Sequence, residues 1–260
     1  FTVRNTAACL ISRRFLGTSM ETQTIPSGLG SRVQEISQSV AGAIALAALG
    51  VVAGFVSALG INPLFAILET GWALFGELLQ NYIVQPGFGL VAAGYVWWCD
   101  DYNPLDRIQV PSLEGVAWIG LGAVGYELAV RVVTLMLPLF GLSHGGHDGQ
   151  MIPTWRIFFD HPDIIVPGLV VMFVFMAPME ELLYRGVIHD ALEPALGSLG
   201  RVLVGGLLFG GMHIFLSGGL ISLLFTSIFG VLAAAGYERT ENLIVPIMAH
   251  AGYWLMFSPF

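Results

Sequence analysis

Apolar residues in this chain fall in long unbroken runs, not in the alternating or one-in-three patterns of soluble elements. Ile36 to Gly60 carries no charge at all. Further runs follow at Asn81 to Cys99, Val116 to Leu142, Ile164 to about Ala191, Val202 to Ser217, Leu220 to Gly236 and Leu243 to Phe260. A helix that crosses a bilayer needs about 20 predominantly apolar residues, so the pattern predicts seven transmembrane helices. Residues 61–79 are mixed, and Glu69 and Glu77, with seven residues between them, share one helical face there. That stretch predicts an interfacial helix, with an eighth span if 63–79 crosses. Pro86 predicts a kink where the second run begins. The fold class is therefore all-α, a polytopic integral membrane bundle of seven to eight transmembrane helices. Residues 1–35 read as a polar N-terminal tail and 36–260 as the transmembrane domain. Arg13-Arg14 lies in that tail, but the polar stretch after it lacks the apolar core of an export signal.

Composition narrows the class further. Of 260 residues 55% are apolar and only 11% charged, and the mean hydropathy is +0.77. A soluble domain carries about 25% charged residues; this chain cannot cover a soluble surface and is neither disordered nor a basic nucleic-acid binder. The lipid bilayer is its expected surrounding and nucleic acid is not an expected partner. All ten basic residues are arginine, against eighteen acids, for a net charge of −8. With seven spans and the N-terminus inside, Arg4, Arg13, Arg14, Arg32, Arg107, Arg201 and Arg239 fall on the inner side and Arg156 on the outer. The positive-inside rule then predicts a cytoplasmic N-terminus in a multi-pass cell-membrane protein. Cys9 and Cys99, in the tail and at a membrane edge, predict neither a disulfide framework nor a metal site.

A charge at the centre of a span costs about 2.5–3.5 kcal/mol or more, so each one calls for a reason. Glu127 and Arg131, four apart, read as a structural ion pair on one helix. The loop 143–163 holds His144, His147, Asp148 and His161, a polar set that reads as loop composition before it reads as a metal site. Three clusters remain. In Met179-Glu180-Glu181-Leu182-Leu183-Tyr184-Arg185-Gly186, Glu181 and Arg185 can pair along the helix while Glu180 points about 100° away. A free carboxylate in a low-dielectric site suits a general base; the bland reading is an acidic helix end at the interface. Phe209-Gly210-Gly211-Met212-His213 puts one histidine in a glycine-rich span, where glycines allow close helix approach. His250-Ala251-Gly252-Tyr253-Trp254 puts another in the last span. Each histidine alone reads as a hydrogen-bonded packing residue. Together, Glu180, His213 and His250 suit either a divalent metal such as zinc or a metal-free Glu/His mechanism.

The order Glu-Glu-x-x-x-Arg, then Phe-x-x-x-His, then His-x-x-x-polar resembles the CPBP family of intramembrane proteases, which includes the CAAX prenyl endopeptidases of the Rce1 type and bacteriocin-immunity (Abi) relatives. The resemblance spans 164–260, marked as a protease-like core, while 36–163 share only their apolar runs. It implies Glu180 as the catalytic glutamate and His213 as its partner in activating water. It implies Glu181 and Arg185 as the companion acid and base that shape the site. His250 is implied as the second histidine, holding the oxyanion. One position departs from the pattern: where the family places Asn or a similar polar residue, four after the second histidine, this chain has Trp254. Either the oxyanion hole is rebuilt, or activity is weakened, or proteolysis has been lost.

The resemblance thus implies an intramembrane endopeptidase that cleaves near the C-terminus of membrane-associated proteins, prenylated ones among them. Its partner is a peptide or membrane-anchored protein substrate. The alternatives are a non-catalytic relative that binds, shields or scaffolds membrane partners, and a small transporter using the intramembrane acid and histidines as a proton relay.

Overall fold

Backbone polar groups have no water to bond in lipid, so a chain this apolar satisfies them within helices. A computed structural model of the chain describes residues 28–68, 73–99, 103–142 and 154–257, and every regular element among them is helical. In order these are α1 (Leu29–Leu68), α2 (Ala73–Gln80), α3 (Gln85–Trp98), α4 (Leu113–Phe140), α5 (Thr154–Asp160), α6 (Pro162–Ala191), α7 (Ser198–His213), α8 (Gly219–Thr240) and α9 (Ile244–Met256).

The span count differs from the one the apolar runs predict. Among the described residues five helices are long and apolar enough to cross a membrane, not seven or eight: those over Arg32–Pro63, Leu113–Phe140, Pro162–Ala191, Ser198–Leu216 and Gly219–Thr240. The run from Asn81 to Cys99 yields only the 14 residues of α3, because residues 81–84 form a turn and Pro86 marks the first helical turn. The last run yields the 13 residues of α9. At about 1.5 Å per residue each of these is near 20 Å long, short of a hydrocarbon core of about 30 Å. Hydropathy measures the length of an apolar run, whereas crossing requires that the run remain one helix. The arginine sorting that predicted a cytoplasmic N-terminus was counted over seven crossings and does not carry over to five. The chain is nonetheless a polytopic membrane protein: Leu128, Val132, Leu135 and Leu139 of α4 make an outward apolar stripe that only lipid would cover.

Other expectations fare variously. Glu127 and Arg131 pair as expected, with Oε1 and Nε 2.6 Å apart. His144, His147, Asp148 and Glu69 lie outside the described residues, as does Cys9. Cys99 is disulfide-bonded, against the expectation of no disulfide; a lone cysteine at the end of an apolar run carries no local signal of pairing.

Two glycine contacts set the frame around the later site. Gly87 of α3 presses on the backbone of Ala53 and Gly54 of α1, so closely that a Cβ would have no room. Gly206 of α7 and Gly230 of α8 meet in the same way; a Cβ on Gly230 would lie 2.9 Å from the Gly206 Cα. Small residues at such crossings let membrane helices approach backbone to backbone. Two apolar clusters fill the interior. One gathers Phe88, Leu183, Tyr184, Phe209 and Phe229, the other Leu78, Tyr82, Met172, Met176 and Ile247. Leu182 of α6 packs against both, so α6 runs between them.

Candidate active site

Helix α6 carries the densest group of buried charges. It changes from an α-helical run, Ala177–Glu181, to a π-helical one, Leu182–Ile188. A π segment shifts the residues after it around the axis and is frequent at functional sites. Across this change Glu181 and Arg185 pair as their spacing predicts, with Oε2 and Nη1 2.9 Å apart. Arg185 also donates from Nη2 to the carbonyl oxygen of Gly230 at 2.9 Å. Its guanidinium lies over the Phe209 ring, 4.6 Å from the centroid, a favourable place for a desolvated cation. The Gly230 carbonyl that Arg185 reaches thus sits at the close α7–α8 crossing, against Gly206.

His250 of α9 meets the two acids from the other side. Its Nδ1 lies 2.8 Å from Glu181 Oε1, and its Nε2 lies 3.8 Å from Glu180 Oε2. Glu180 does not share the arginine, as its place on the helix predicts. Instead its Oε1 accepts a hydrogen bond from Gln85 Nε2 at 2.8 Å. Glu180, Glu181, Arg185 and His250 are each at most 5% exposed. Two carboxylates and one guanidinium leave one negative charge in a dry site, where an unbalanced charge is costly.

His213 and Trp254 stand apart from this group. His213 is half-buried, and its Nδ1 donates to the carbonyl oxygen of Phe209 at 3.0 Å. That bond fixes the neutral tautomer and leaves Nε2 as acceptor. The Phe209 ring lies against both histidines: its centroid is 5.1 Å from the His213 ring and 5.8 Å from the His250 ring. Trp254 packs edge-on against Tyr82 at 5.4 Å, on the second apolar cluster. Of the five sequence-derived site residues, Glu180, Glu181, Arg185 and His250 thus form one contact network, and His213 is placed beside it.

The donors expected for a metal do not gather. Among the described residues no three His, Cys, Asp or Glu side chains are grouped as a metal ion needs. Glu180 and His250 face each other, while the Nδ1 of His213 is bonded to the Phe209 carbonyl oxygen.

Two features escape the sequence reading. Gln85, beside Pro86 in an apolar run, gives no local signal beyond being a lone amide. The other is a second polar cluster at the ends of α6 and α8. Arg107 there pairs with Asp190 at 2.6 Å and donates to the Tyr237 hydroxyl, while His189 lies 2.7 Å from Glu238. Asn242 fixes the same loop by accepting from the backbone N–H of Gln109 at 3.2 Å and donating to its carbonyl oxygen at 2.9 Å.

Residues 162–256, which cover α6 to α9, match the model of a family described as type II CAAX prenyl endopeptidase, Rce1-like. The match supports assigning this C-terminal segment to that family; it does not extend to α1–α5, and so leaves out Gln85. No curated protein and no solved structure is similar enough to count as a match.

Proposed function

We propose that this protein is an intramembrane endopeptidase that hydrolyses a peptide bond near the C-terminus of membrane-associated proteins, prenylated ones among them. The observation that carries the reading is one buried imidazole held between two adjacent carboxylates, with Nδ1 2.8 Å from Glu181 and Nε2 3.8 Å from Glu180. Hydrolysis needs a base for water and donors for the developing oxyanion. Glu180 takes the proton of the attacking water, its carboxylate steadied by Gln85. Glu181 orients His250, as the third member of a triad orients its base, and Arg185 offsets the charge of Glu181. His250 Nε2 then faces the reacting centre, either stabilising the oxyanion or returning a proton to the leaving amine. His213, packed against Phe209, is assigned to water activation by the family resemblance, its Nε2 being the atom for that role. The matched segment, α6 to α9, supports the reaction class.

The test is cleavage of a panel of C-terminal peptides, with and without a prenyl group, by purified protein in mild detergent. Wild type cleaves and Glu180→Gln does not. Equal cleavage by both would reject the mechanism.

A second reading is a non-catalytic membrane-binding relative, with an immunity or scaffold role. Trp254 favours it, because its indole is packed on Tyr82 where the resemblance calls for a polar side chain. Under this reading wild type cleaves nothing and partner binding survives Glu180→Gln.

A further inference from the structure

Helix α4 carries an ion pair where lipid penalises charge. Its 28 residues exceed the about 20 that cross a hydrocarbon core. Wherever a core of that length is placed along Leu113–Phe140, Glu127 and Arg131 fall inside it. Their side chains are unequally exposed, Glu127 by 14% and Arg131 by 70%. The acid sits at the flank of the bundle and the guanidinium stands out from it.

A charged side chain within a span ordinarily faces the bundle interior or a watery cavity, or snorkels to the nearer interface. Arg131 does neither. The nearer helix end is Phe140, yet Nε donates to Glu127 Oε1 at 2.6 Å, one turn back. That bond aims the guanidinium at the middle of the helix, away from Phe140. It uses one of the five N–H groups of a guanidinium; those on Nη1 and Nη2 have no acceptor among the described residues. The inner side of α4 is already occupied. A Cβ on Gly122 would lie 2.6 Å from the Ala249 Cβ, and the Tyr126 and Tyr253 rings meet with centroids 4.5 Å apart. On the outer side Val124, Leu128, Arg131 and Leu135 are all exposed and follow one another at spacings of four, three and four. That spacing is the seam through which two helices pack, and a polar residue within such a seam fixes register and partner number.

The chemistry selects the occupant. Glu127 and Arg131 together are neutral. A partner bringing one acid or one base would leave an unbalanced charge in lipid, and a purely apolar helix would leave the outer N–H groups without an acceptor. A second copy of this chain brings one acid and one base. Two copies with the same orientation in one membrane are related by a two-fold axis along its normal, which sets Glu127 and Arg131 of both at one depth.

We propose that the protein forms a two-fold dimer through this face of α4, in which the outer N–H groups of Arg131 in each copy donate to Glu127 of the other, closing a neutral ring of four charges. Lipid lies on this face in the single chain, and the same helix of the other copy replaces it in the dimer. The proposal is independent of the endopeptidase reading, and its test reads no cleavage.

The test uses full-length protein, labelled with donor or acceptor dye, in phosphatidylcholine and in phosphatidylglycerol vesicles diluted stepwise with lipid. Energy transfer then gives the dissociation constant as a mole fraction of protein in lipid. Wild type is expected to follow a monomer–dimer curve. Glu127→Gln combined with Arg131→Leu removes both charges together and leaves none unpaired; it is expected to weaken association about tenfold or more. Leu135→Trp, at an exposed seam position, weakens it as well. Val166→Trp, on the outer face of α6 and 70% exposed, keeps the wild-type value. Under mild oxidation Leu135→Cys cross-links to its own copy and Val166→Cys does not, Cys99 being already disulfide-bonded. Melting temperatures of the same preparations show that each variant is folded. A wild type that is monomeric in both lipids, with Arg131 served by headgroups instead, overturns the proposal. So does association that the double charge variant leaves unchanged, or that Val166→Trp weakens as much as Leu135→Trp.

Discussion

Glu181 and His250, 69 positions apart in the chain, meet with Oε1 and Nδ1 at 2.8 Å in the dry interior of the bundle. The contact ties α9 to α6 and gives the imidazole a fixed orientation. Removing either partner leaves a buried polar group uncompensated, which typically costs about 3–5 kcal/mol for a charged pair. Glu181→Gln and His250→Ala are each expected to lower stability by an amount near the lower end of that range. Their double variant is expected to lose at least about 1 kcal/mol less than the sum, as residues in contact do. Denaturant unfolding in detergent micelles reads all three; strict additivity would mean that the contact is not formed.

Glu180 is held differently and predicts a different outcome. Its partner Gln85 donates to Oε1, and a glutamine at position 180 still offers a carbonyl oxygen there. Glu180→Gln is expected to cut peptide cleavage by about 10²–10⁴, the usual contribution of a general base, with little change in melting temperature. Glu181→Gln should lower both. Cleavage and melting measured on the same preparations separate the two acids.

Arg107 gives the pH dependence a sign. Burial alone would pull its pKa down, but the Asp190 carboxylate and then the Tyr237 hydroxyl overcompensate and hold it above the ordinary arginine value. A pKa raised on folding adds stability that is complete below the unfolded-state value and fades only above it. The contribution of the guanidinium is therefore expected to be flat between about pH 6 and 9. Asp190→Asn removes the carboxylate and is expected to cost about 3 kcal/mol at any pH in that window. Melting curves of both forms across the window test this; a penalty that grows steadily with pH would contradict the assignment.

The α7–α8 crossing leaves no space for a methyl group. A Cβ on Gly230 would sit 2.9 Å from the Gly206 Cα and closer still to other Gly206 backbone atoms, which cannot yield as a flexible side chain can. The Gly230 carbonyl is also the acceptor for Arg185 Nη2. Gly230→Ala is expected to destabilise by about 1–3 kcal/mol, the range for overpacking, and to lower cleavage beyond what unfolding explains. Gly211→Ala is the control on a neighbouring helix, because a Cβ there meets nothing within 4 Å.

Cleavage is expected to persist after exhaustive dialysis against a strong chelator. The two donors that face each other, Glu180 and His250, lack a third among the described residues. Loss of activity on dialysis and its return with zinc would require His213 to leave its hydrogen bond to Phe209 and join them.

The sequence by itself determined what depends on neighbours along the chain. Low charge and long apolar runs identify a helical membrane protein. The i,i+4 spacing of Glu181–Arg185 and Glu127–Arg131 makes each pair meet on one helix face whatever surrounds it. The Glu-Glu-x-x-x-Arg, Phe-x-x-x-His and His clusters single out the residues that α6, α7 and α9 carry into the site. What the tertiary structure alone decided is everything joined across helices. An apolar run does not reveal where its helix starts or stops, so α3 and α9 are shorter than their runs and, among the described residues, five helices, not seven, are long enough to cross. Nor does sequence spacing reveal which helices touch. Gln85 reaches Glu180 across 95 positions because α3 lies against α6, where a Cβ on Gly89 would meet the Met179 side chain at 3.0 Å. His250 turns one nitrogen to each acid, while His213 bonds the Phe209 carbonyl oxygen. Local pairs are fixed by the geometry of one helix; the site depends on how closely several helices pack.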